Sequence, residues 1–315
     1  MGIKVLAPAA GAVLLLQTAA AAAEPAMRAA VVSQQENTVA IIDATRGAVE
    51  RTIPLPRAPA SLAVVPDGSR LFVSHPDIGR LSRVDLPSGE VTTFAVGGEP
   101  FGLAVANGGA TLLVTDWDED VLIRLDAATG REMGRALVGR APAHVVVDDA
   151  RALAYVADRE SNDVTVVDIS TMARLASIPV GTAPFALALS REGGRLYVPN
   201  VRSNDLSVID TSARKEFARV KIDLMPYGVA VTPDDGQIIV TCQQSGRLGV
   251  VDSRSLSIER TLRVGSFPEG AAATGNSVLV ANWADDTVAV FDLQNRAIDR
   301  TIDVGGGPRM IVLLP

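Results

Sequence analysis

The residues best suited to acid–base chemistry in this chain are two histidines, a glutamate and an arginine. His75 and His144 are its only histidines, and histidine is the side chain whose ordinary pKa lies nearest neutral pH. Glu269 and Arg309 each directly follow a proline. A histidine or glutamate could activate water while an arginine stabilises a developing oxyanion. His144, Glu269 and Arg309 are therefore the candidate catalytic residues, and hydrolysis of a lactone is the candidate reaction.

Aromatic residues suggest ligand binding instead. Seven prolines recur along the chain, and the residues that directly follow them are Ala60, Phe101, Ala143, Phe185, Tyr227, Glu269 and Arg309. Three aromatic rings beside an acid and a base could form a funnel for an organic ligand, with Glu269 and Arg309 holding its polar end. The alternative is that the rings only fill space and that the acid and the base form an ion pair.

His144 stands out at the next position along the repeat. The equivalent residues are Ser61, Gly102, Ala186, Gly228, Gly270 and Met310, so all but the last are small. A general base or a metal ligand is one interpretation of this histidine. A buried side chain with a backbone partner is the other.

Polar residues recur at a third position, which reads Gln34, His75, Asp116, Asp158, Asn200, Cys242 and Asn282. Such side chains can bind metals, but these come from different repeats and share no short ligand spacing, so no metal site and no cofactor are predicted. His75, Asp116, Asn200 and the nearby Arg202 are candidate ligand-binding residues. Trp117 and Trp283 directly follow this position; they could anchor a ligand or a partner, or simply cover the loops.

Evenly spaced landmarks show that these positions belong to a repeat. A Val-rich segment ending in aspartate occurs seven times, at Asp43, Asp85, Asp126, Asp168, Asp210, Asp252 and Asp292, with gaps of 42, 41, 42, 42, 42 and 40 residues. The proline of a Val-Gly-x-x-Pro pattern keeps the same period, at Pro59, Pro100, Pro142, Pro184, Pro226, Pro268 and Pro308. A period of about 42 residues is typical of a propeller blade or a solenoid unit.

Each repeat contains four short apolar segments separated by Gly, Asp, Asn and Pro, which predicts four antiparallel strands. The predicted fold is all-β, a seven-bladed β-propeller. Gly68, Gly194 and Gly236 fall in the first hairpin turn, where we expect positive φ, and the repeated aspartates are expected to cap the turn after the third strand. The chain starts at a second strand (residues 29–33) and ends with a first strand (residues 309–314), so the closing blade is predicted to be shared between the termini.

The second strands also carry a family motif. Leu71-Phe-Val-Ser-His75, Ala154-Tyr-Val-Ala-Asp158 and Leu196-Tyr-Val-Pro-Asn200 resemble the Tyr-Val-Thr-Asn motif of the YVTN-family β-propeller repeats. The resemblance covers essentially the whole chain after its first residues. It implies the propeller fold but no single activity. Some similar seven-repeat proteins are associated with periplasmic quinone-dependent alcohol catabolism, so an accessory subunit of a quinone- or haem-dependent dehydrogenase is one function that it suggests.

The first residues have the pattern of a secretory signal peptide. Lys4 precedes the apolar residues 5–16, and alanines at 19–23 precede Glu24. Residues 1–23 are therefore predicted to be a signal peptide cleaved near Ala23, and residues 24–315 to be the propeller, located in the periplasm or outside the cell. The apolar run is too short to span a membrane.

The composition of the chain limits the classes of molecule that it is expected to bind. The chain has 29 basic and 36 acidic residues, a formal net charge of −7, which disfavours nucleic acid because its binding depends on neutralising phosphates. Cys242 is the only cysteine, which excludes a disulfide within the chain. A monomer is the expected state.

The leading hypothesis is a non-enzymatic binding or scaffold protein that recognises a periplasmic protein or a small ligand at the loop face around the channel. The sequence contains no P-loop, no Gly-x-Ser-x-Gly elbow and no paired Cys/His cluster of the kinds that mark common enzymes. A lactonase-like hydrolase and an accessory dehydrogenase subunit are the alternatives.

Overall fold

The computed structural model describes residues 1–2 and 27–315. The predicted signal peptide, apart from its first two residues, lies outside the described residues. Among the described residues the chain forms seven four-stranded antiparallel sheets, together with short 3₁₀ turns at Pro76–Ile78 and Asn107–Gly109. The predicted all-β, seven-bladed propeller is confirmed.

The strands follow one another blade by blade. β1 (Arg28–Ser33), β2 (Thr38–Asp43) and β3 (Ala48–Pro54) come first in the chain and belong to blade 7. Blade 1 contains β4 (Leu62–Val64), β5 (Arg70–His75), β6 (Arg80–Asp85) and β7 (Val91–Ala95). Blade 2 contains β8 (Pro100–Ala106), β9 (Thr111–Asp116), β10 (Val121–Asp126) and β11 (Glu132–Leu137). Blade 3 contains β12 (Pro142–Asp148), β13 (Leu153–Asp158), β14 (Asp163–Asp168) and β15 (Ala173–Pro179).

The remaining blades repeat this order. Blade 4 contains β16 (Ala188–Leu189), β17 (Arg195–Asn200), β18 (Asp205–Asp210) and β19 (Lys215–Lys221). Blade 5 contains β20 (Pro226–Val231), β21 (Gln237–Cys242), β22 (Arg247–Asp252) and β23 (Ile258–Arg263). Blade 6 contains β24 (Pro268–Ala273), β25 (Ser277–Asn282), β26 (Thr287–Asp292) and β27 (Ala297–Asp303), and β28 (Pro308–Leu313) completes blade 7.

The closing blade is shared between the two ends of the described chain, as predicted. β28 pairs antiparallel with β1 from Ala29↔Leu313 to Val32↔Met310, and the blade order is β28-β1-β2-β3. The first strand of each blade contacts the first strands of the neighbouring blades all the way round. The seven first strands therefore surround a central channel.

Aliphatic side chains fill the space between neighbouring blades. One buried cluster joins Phe72 and Leu81 of blade 1 to Leu112 and Ile123 of blade 2, and similar clusters follow around the ring. Branched aliphatic residues suit this packing because they fit the pleated faces of sheets. The result is a rigid frame on which loops and channel residues are held.

The repeated aspartates cap turns, as predicted. In blade 2, Asp126 Oδ1 accepts the backbone N–H groups of Ala128 and Thr129 at 3.1 and 2.8 Å. The other six aspartates each accept a backbone N–H three residues further on. This short-range bond fixes the corner between the third and fourth strands.

The prediction for the first hairpin turn was right at one glycine and wrong at two. Gly68 has φ 69, but in blades 4 and 5 the left-handed residues are Gly193 (φ 70) and Asp235 (φ 56). Gly194 and Gly236 each lie one residue too far along the chain. Aspartate can replace glycine at this place because it tolerates the left-handed region better than most residues.

The Val-Gly-x-x-Pro pattern has a steric cause. The loop between blades passes directly over the last side chain of the second strand in the following blade. A Cβ on Gly181 would lie 2.5 Å from the amide nitrogen of Asn200, and a Cβ on Gly139 would lie 2.5 Å from the Cβ of Asp158. Real Cβ atoms do not approach this closely, so these two loops need glycine, whereas Pro56 and Asp223 occupy the equivalent place in blades 1 and 5.

Candidate ligand-binding site at the channel mouth

The residues that follow the blade prolines line the central channel. Phe101, Tyr227, Glu269 and Arg309 are the second residues of β8, β20, β24 and β28, and Phe185 occupies the same place just before β16. In β8, β20 and β24 the pairing register shifts directly after the proline. A bulge of this kind re-aims a side chain, and all five residues border one cavity on the channel.

Aromatic rings form a continuous wall at this level. The rings of Phe185 and Tyr227 stack with their centroids 4.1 Å apart, and Phe185 meets Phe101 edge to face at 5.9 Å. Trp117 extends the wall outward, 5.2 Å from Phe101, and the Arg159 guanidinium lies 5.9 Å from the Trp117 ring. Such contacts stabilise the rings beyond simple burial.

Arg309 is fixed against this wall. Its Nε donates to Glu269 Oε2 at 3.1 Å, its Nη1 to Gln34 Oε1 at 3.3 Å and its Nη2 to the Tyr227 hydroxyl at 2.9 Å. The guanidinium also lies 5.6 Å from the centre of the Phe101 ring. The predicted ion pair of Glu269 with Arg309 is therefore present, and it lies inside the cavity.

Burial shifts the pKa values of the two acidic side chains that contact Arg309. Burial raises the pKa of Glu269, although the Arg309 charge opposes that shift. Burial also raises the pKa of Tyr227 to about 12, so the phenol keeps its proton at neutral pH. Glu269 Oε1 accepts a hydrogen bond from Gln243 Nε2 at 2.8 Å, which engages the second carboxylate oxygen.

The aromatic wall separates two levels of the channel. The outer cavity has a volume of about 360 Å³ and opens at the mouth, where Gln34, Asp77, Glu99, Trp117 and Arg159 surround it. The inner cavity has a volume of about 30 Å³ and is lined on its far side by Ser61, His144, Ala186, Gly228 and Met310. Phe101, Phe185, Tyr227 and Arg309 border both. A cavity as small as the inner one holds only one or two water-sized groups.

His144 is partly buried and lines the inner cavity. Its Nδ1 accepts the Leu187 N–H at 3.2 Å, and burial lowers its pKa to about 4. The ring is therefore neutral at neutral pH, and since Nδ1 is an acceptor, the proton is on Nε2. This arrangement matches a buried histidine with a backbone partner, and it leaves a donor facing the channel.

His75, Asp116 and Asn200 lie beneath the loops and line neither cavity. All three are fully buried. His75 bonds with Arg57 O at 3.1 Å and with Ser82 Oγ at 2.8 Å. Asp116 Oδ1 accepts the backbone N–H groups of residues 99, 118 and 119 at 3.0 to 3.2 Å. Their hydrogen bonds hold the loops in place.

The other predicted residues are spread over the loop face. Trp117 borders the outer cavity, whereas Trp283 borders neither cavity. Arg202 forms a two-bond ion pair with Glu160 at 2.9 and 3.0 Å on the exposed surface. Cys242 is buried, and burial raises the pKa of its thiol to about 12, so the thiol is poorly suited to reaction.

In the comparison of equivalent positions, blade 7 was aligned one residue out of register. Gln34 was placed with His75, but the strand-end residue of blade 7 is Ser33, since Ser33 pairs with Thr38 as His75 pairs with Arg80. Gln34 instead belongs to the next position, whose members are Gln34, Pro76, Trp117, Arg159, Val201, Gln243 and Trp283. Sequence reasoning missed Gln34, Gln243 and Arg159 as parts of the site. A constant spacing of ten residues from the strand end to the repeated aspartate, as from Asp116 to Asp126, would have revealed this position.

Asp158 is a buried acid beside a second acid. It pairs with Asp163 across the turn between β13 and β14, and one oxygen of each carboxyl group has no partner among the described residues. Burial raises the pKa of Asp158 to about 8. The equivalent pair in blade 4 is Asn200 and Asp205, where the Asn200 amide donates to the acid at 2.9 Å.

We expect Asp158→Asn to stabilise the protein at alkaline pH. Because its pKa is raised in the folded state, the fold binds this proton more tightly than the unfolded chain does, so the free energy of unfolding falls as pH rises from about 4 to about 8. Asparagine removes that loss and can donate to Asp163. The gain at pH 9 should be on the order of 2 kcal/mol, measured by urea unfolding at pH 5, 7 and 9. Asp116→Asn is the matched control and should not stabilise. Parallel pH profiles for Asp158→Asn and wild type would contradict this.

Comparison with known proteins places the chain among β-propellers. A family model described as a YNCE-like beta-propeller matches residues 93–275, which is more than half of the chain. No curated protein matches the sequence. Within the part of the chain that the structure describes, no helix could cross a membrane, and residues 1–2 and 27–315 contain no cluster of three or more His, Cys, Asp or Glu side chains that could hold a metal ion.

Solved structures share the fold at low identity. Kuenenia stuttgartiensis hydrazine synthase has a TM-score of 0.73 and 20% identity, over 80% of this chain and 88% of that chain. A functionally unknown protein from Desulfotomaculum acetoxidans has a TM-score of 0.79 and 12% identity, over 91% and 98%. Dihydro-heme d1 dehydrogenase NirN in complex with DHE has a TM-score of 0.70 and 18% identity, over 93% and 76%.

Proposed function

The chain belongs to the YNCE-like β-propeller family, and from that premise we propose that it is a non-enzymatic binding protein of the periplasm or cell exterior that takes a small organic ligand at the mouth of its channel. The observation that carries this proposal is the wall of Phe101, Phe185 and Tyr227, with Arg309 fixed against it. Ligand sites are typically concave and mostly apolar, with a few fixed polar groups.

The site is organised before any ligand arrives. Arg309 has hydrogen bonds to three side chains: Glu269 from blade 6, Tyr227 from blade 5 and Gln34 from its own blade. Its neighbours Glu269 and Tyr227 stand on strands that the ring of blades holds in place. A preformed site avoids the entropy cost of ordering side chains on binding. Binding therefore gains from the rigidity of the propeller.

The geometry gives less support to hydrolysis. A general base needs a free lone pair within reach of water. In His144 the Nδ1 lone pair accepts the Leu187 N–H, and the channel-facing Nε2 carries the proton. In Glu269 both oxygens accept a hydrogen bond, from Arg309 and Gln243, and the Arg309 charge opposes uptake of a proton. The lactonase-like alternative would require His144 to leave Leu187 or Glu269 to take up a proton beside Arg309.

Docking of a partner protein is the second candidate, and a single side chain favours it. Phe267 is 47% exposed on the loop face and has a left-handed backbone, with φ 51. The residue directly before the blade proline is left-handed in six of the blades, and the other five such residues are Ala58, Ala141, Ala183, Met225 and Gly307. Phe267 differs from them in carrying an exposed ring, and exposed aromatic side chains often anchor a partner. NirN, a propeller of the same fold, was solved in complex with DHE, so a role beside a dehydrogenase is included in this candidate.

Binding is tested by the fluorescence of Trp117. The chain has two tryptophans, so Trp283→Phe leaves Trp117 as the only one, 5.2 Å from Phe101. We expect monocyclic and bicyclic aromatic compounds to change this fluorescence in a saturable way. Adding Phe185→Ala should weaken binding at least tenfold, because it removes a ring worth about 1.5–3 kcal/mol of apolar contact.

The control is Phe217→Ala, which removes an exposed ring on the outer strand β19 and should leave affinity unchanged. Equal loss in both variants would count against a site at the channel mouth. Lactone turnover by the wild type that disappears in His144→Ala without a change in melting temperature would support the hydrolase alternative instead. If Phe267→Ala abolishes capture of a partner while aromatic binding persists, the docking candidate gains.

A further inference from the structure

We infer that the ligand of the channel mouth is a neutral planar molecule with a hydrogen-bond acceptor, such as a ketone, ester or amide carbonyl, and that the acceptor points toward the inner cavity. This rests on the proposed binding function and specifies the chemistry that the site would select.

Donors remain available at the aromatic wall. A guanidinium has five N–H groups, and Arg309 uses three of them in its bonds to Glu269, Gln34 and Tyr227. Two N–H groups are therefore left for a ligand. The Tyr227 oxygen accepts from Arg309, and its own proton has no acceptor among residues 27–315. With its pKa raised to about 12, this hydroxyl remains a donor over the whole physiological range.

The inner cavity adds two further polar groups without protein partners. Ser61 is 2% exposed, and its hydroxyl oxygen has no hydrogen-bond partner in the described part of the chain. His144 presents its Nε2–H, because Nδ1 is occupied by Leu187. Both residues line the same cavity. Leaving a buried polar group without a partner costs about 1–3 kcal/mol, so a ligand atom that bonds here would remove that cost.

Acceptors, in contrast, are already engaged. Both oxygens of Glu269 are hydrogen-bonded. The backbone carbonyls of three ring residues accept from side chains on the neighbouring second strands: Phe101 O from Ser74 at 2.6 Å, Ala143 O from Thr115 at 3.2 Å and Glu269 O from Thr241 at 2.6 Å. Around the inner cavity, donors therefore lack partners while these acceptor oxygens already hold a hydrogen bond, and the carboxylates of Asp77 and Glu99 lie at the outer mouth. The site should prefer a ligand that accepts hydrogen bonds.

The charges favour a neutral ligand. Glu269 balances Arg309, Glu160 contacts Arg159 at 2.7 Å, and Asp77 lies 3.4 Å from Arg57. An anion would meet Arg309, whose charge Glu269 already balances, and it would pass Glu99 at the mouth, where Arg159 already contacts Glu160. A cation would meet the unused donors of Arg309. Burying an uncompensated charge is costly in either case.

The volumes of the two cavities determine how a bound ligand would be oriented. The outer cavity, at about 360 Å³, can accept an aromatic ring, whereas the inner one, at about 30 Å³, admits only a group the size of a water molecule or two. A planar ring stacked against Phe185 and Tyr227 would direct a small substituent past Arg309 into the inner cavity. A carbonyl oxygen fits that space and can accept from Tyr227, Ser61 or His144.

Four probes of similar size test this inference by titration of the Trp283→Phe protein. Acetophenone carries an acceptor only, ethylbenzene no polar group, benzoate a negative charge and 1-phenylethylammonium a positive charge. We expect acetophenone to bind at least tenfold more tightly than each of the other three. Tyr227→Phe keeps the ring but removes the donor, so it should weaken acetophenone about fivefold and leave ethylbenzene unchanged. Ser61→Ala should show the same pattern to a smaller degree.

The outcomes separate this inference from the proposed function. If all four probes bind with equal affinity and Tyr227→Phe changes none of them, the mouth binds ligands but does not select an acceptor, and the inference is wrong. Tightest binding of benzoate or of 1-phenylethylammonium would also overturn it, while leaving the binding function intact. If no probe binds at millimolar concentration, the binding function fails together with the inference.

Discussion

A chain that lacks residues 309–315 is expected to lose its cooperative unfolding transition. These residues form most of β28, the innermost strand of blade 7, which pairs with β1 over five positions. β28 also contacts the first strands of blades 6 and 1 on either side. Deletion would expose one edge of β1, uncover Ala30 and Val32, and open the ring. A propeller depends on this closure because a complete ring of blades leaves only short, protected strand edges.

The measurement is circular dichroism during thermal and urea unfolding. The truncated chain should unfold over a broad range with a small m-value, because m scales with the surface exposed on unfolding. Deleting only Pro315, which follows the last strand, is the control and should leave the transition unchanged. A synthetic peptide of residues 308–315 added to the truncated protein should restore part of the lost structure. A sharp transition at the wild-type midpoint in the truncated chain would refute the closure argument.

Repetition made the fold predictable from sequence. The seven aspartates recur because each caps the same turn, and in blades 3, 4 and 6 the glycine three residues before the blade proline recurs because a side chain crowds the loop from below. Residues with these local roles recur from repeat to repeat, so the repeats together predict the same four-stranded unit. The missing first strand at one end and the extra strand at the other then required closure between the termini.

The site was less predictable because it consists of residues that differ from their equivalents in the other repeats. Sequence comparison found the ring of Phe101, Phe185, Tyr227, Glu269 and Arg309, since these follow the same proline in different blades. It did not find that Gln34 and Gln243 reach the same ion pair, because they come from another position whose alignment was shifted by one residue in blade 7. Nor could sequence show that His75 and Asn200 point beneath the loops. Those directions depend on the bulges and on the loop paths, which the residue types alone do not determine.

Removing the carboxylate from Glu269 is expected to destabilise the fold strongly. Glu269 is 6% exposed, and the Arg309 side chain is 18% exposed. Glu269→Ala would leave the buried guanidinium without its counter-charge and would also free the Gln243 amide. Breaking a buried pair from one side typically costs about 3–5 kcal/mol. Urea unfolding should therefore show a loss of that size, far larger than for Glu119→Ala, whose pair with Arg135 is exposed.

A double variant of Glu269 and Arg309 distinguishes a role of this ion pair in stability from a role in ligand binding. When both charges are replaced, as in Glu269→Met with Arg309→Met, neither is left uncompensated, and apolar replacements of buried ion pairs are often neutral or stabilising. We expect the double variant to recover most of the loss caused by Glu269→Ala and yet to favour acetophenone over ethylbenzene less strongly than the wild type does, because the donors of Arg309 are gone while that of Tyr227 remains. A protein that tolerates an apolar pair but is less selective would show that the charges serve the ligand. If the double variant is as unstable as Glu269→Ala, the pair instead maintains the junction of blades 5, 6 and 7, and selectivity for an acceptor would then rest on the donors of Tyr227, Ser61 and His144.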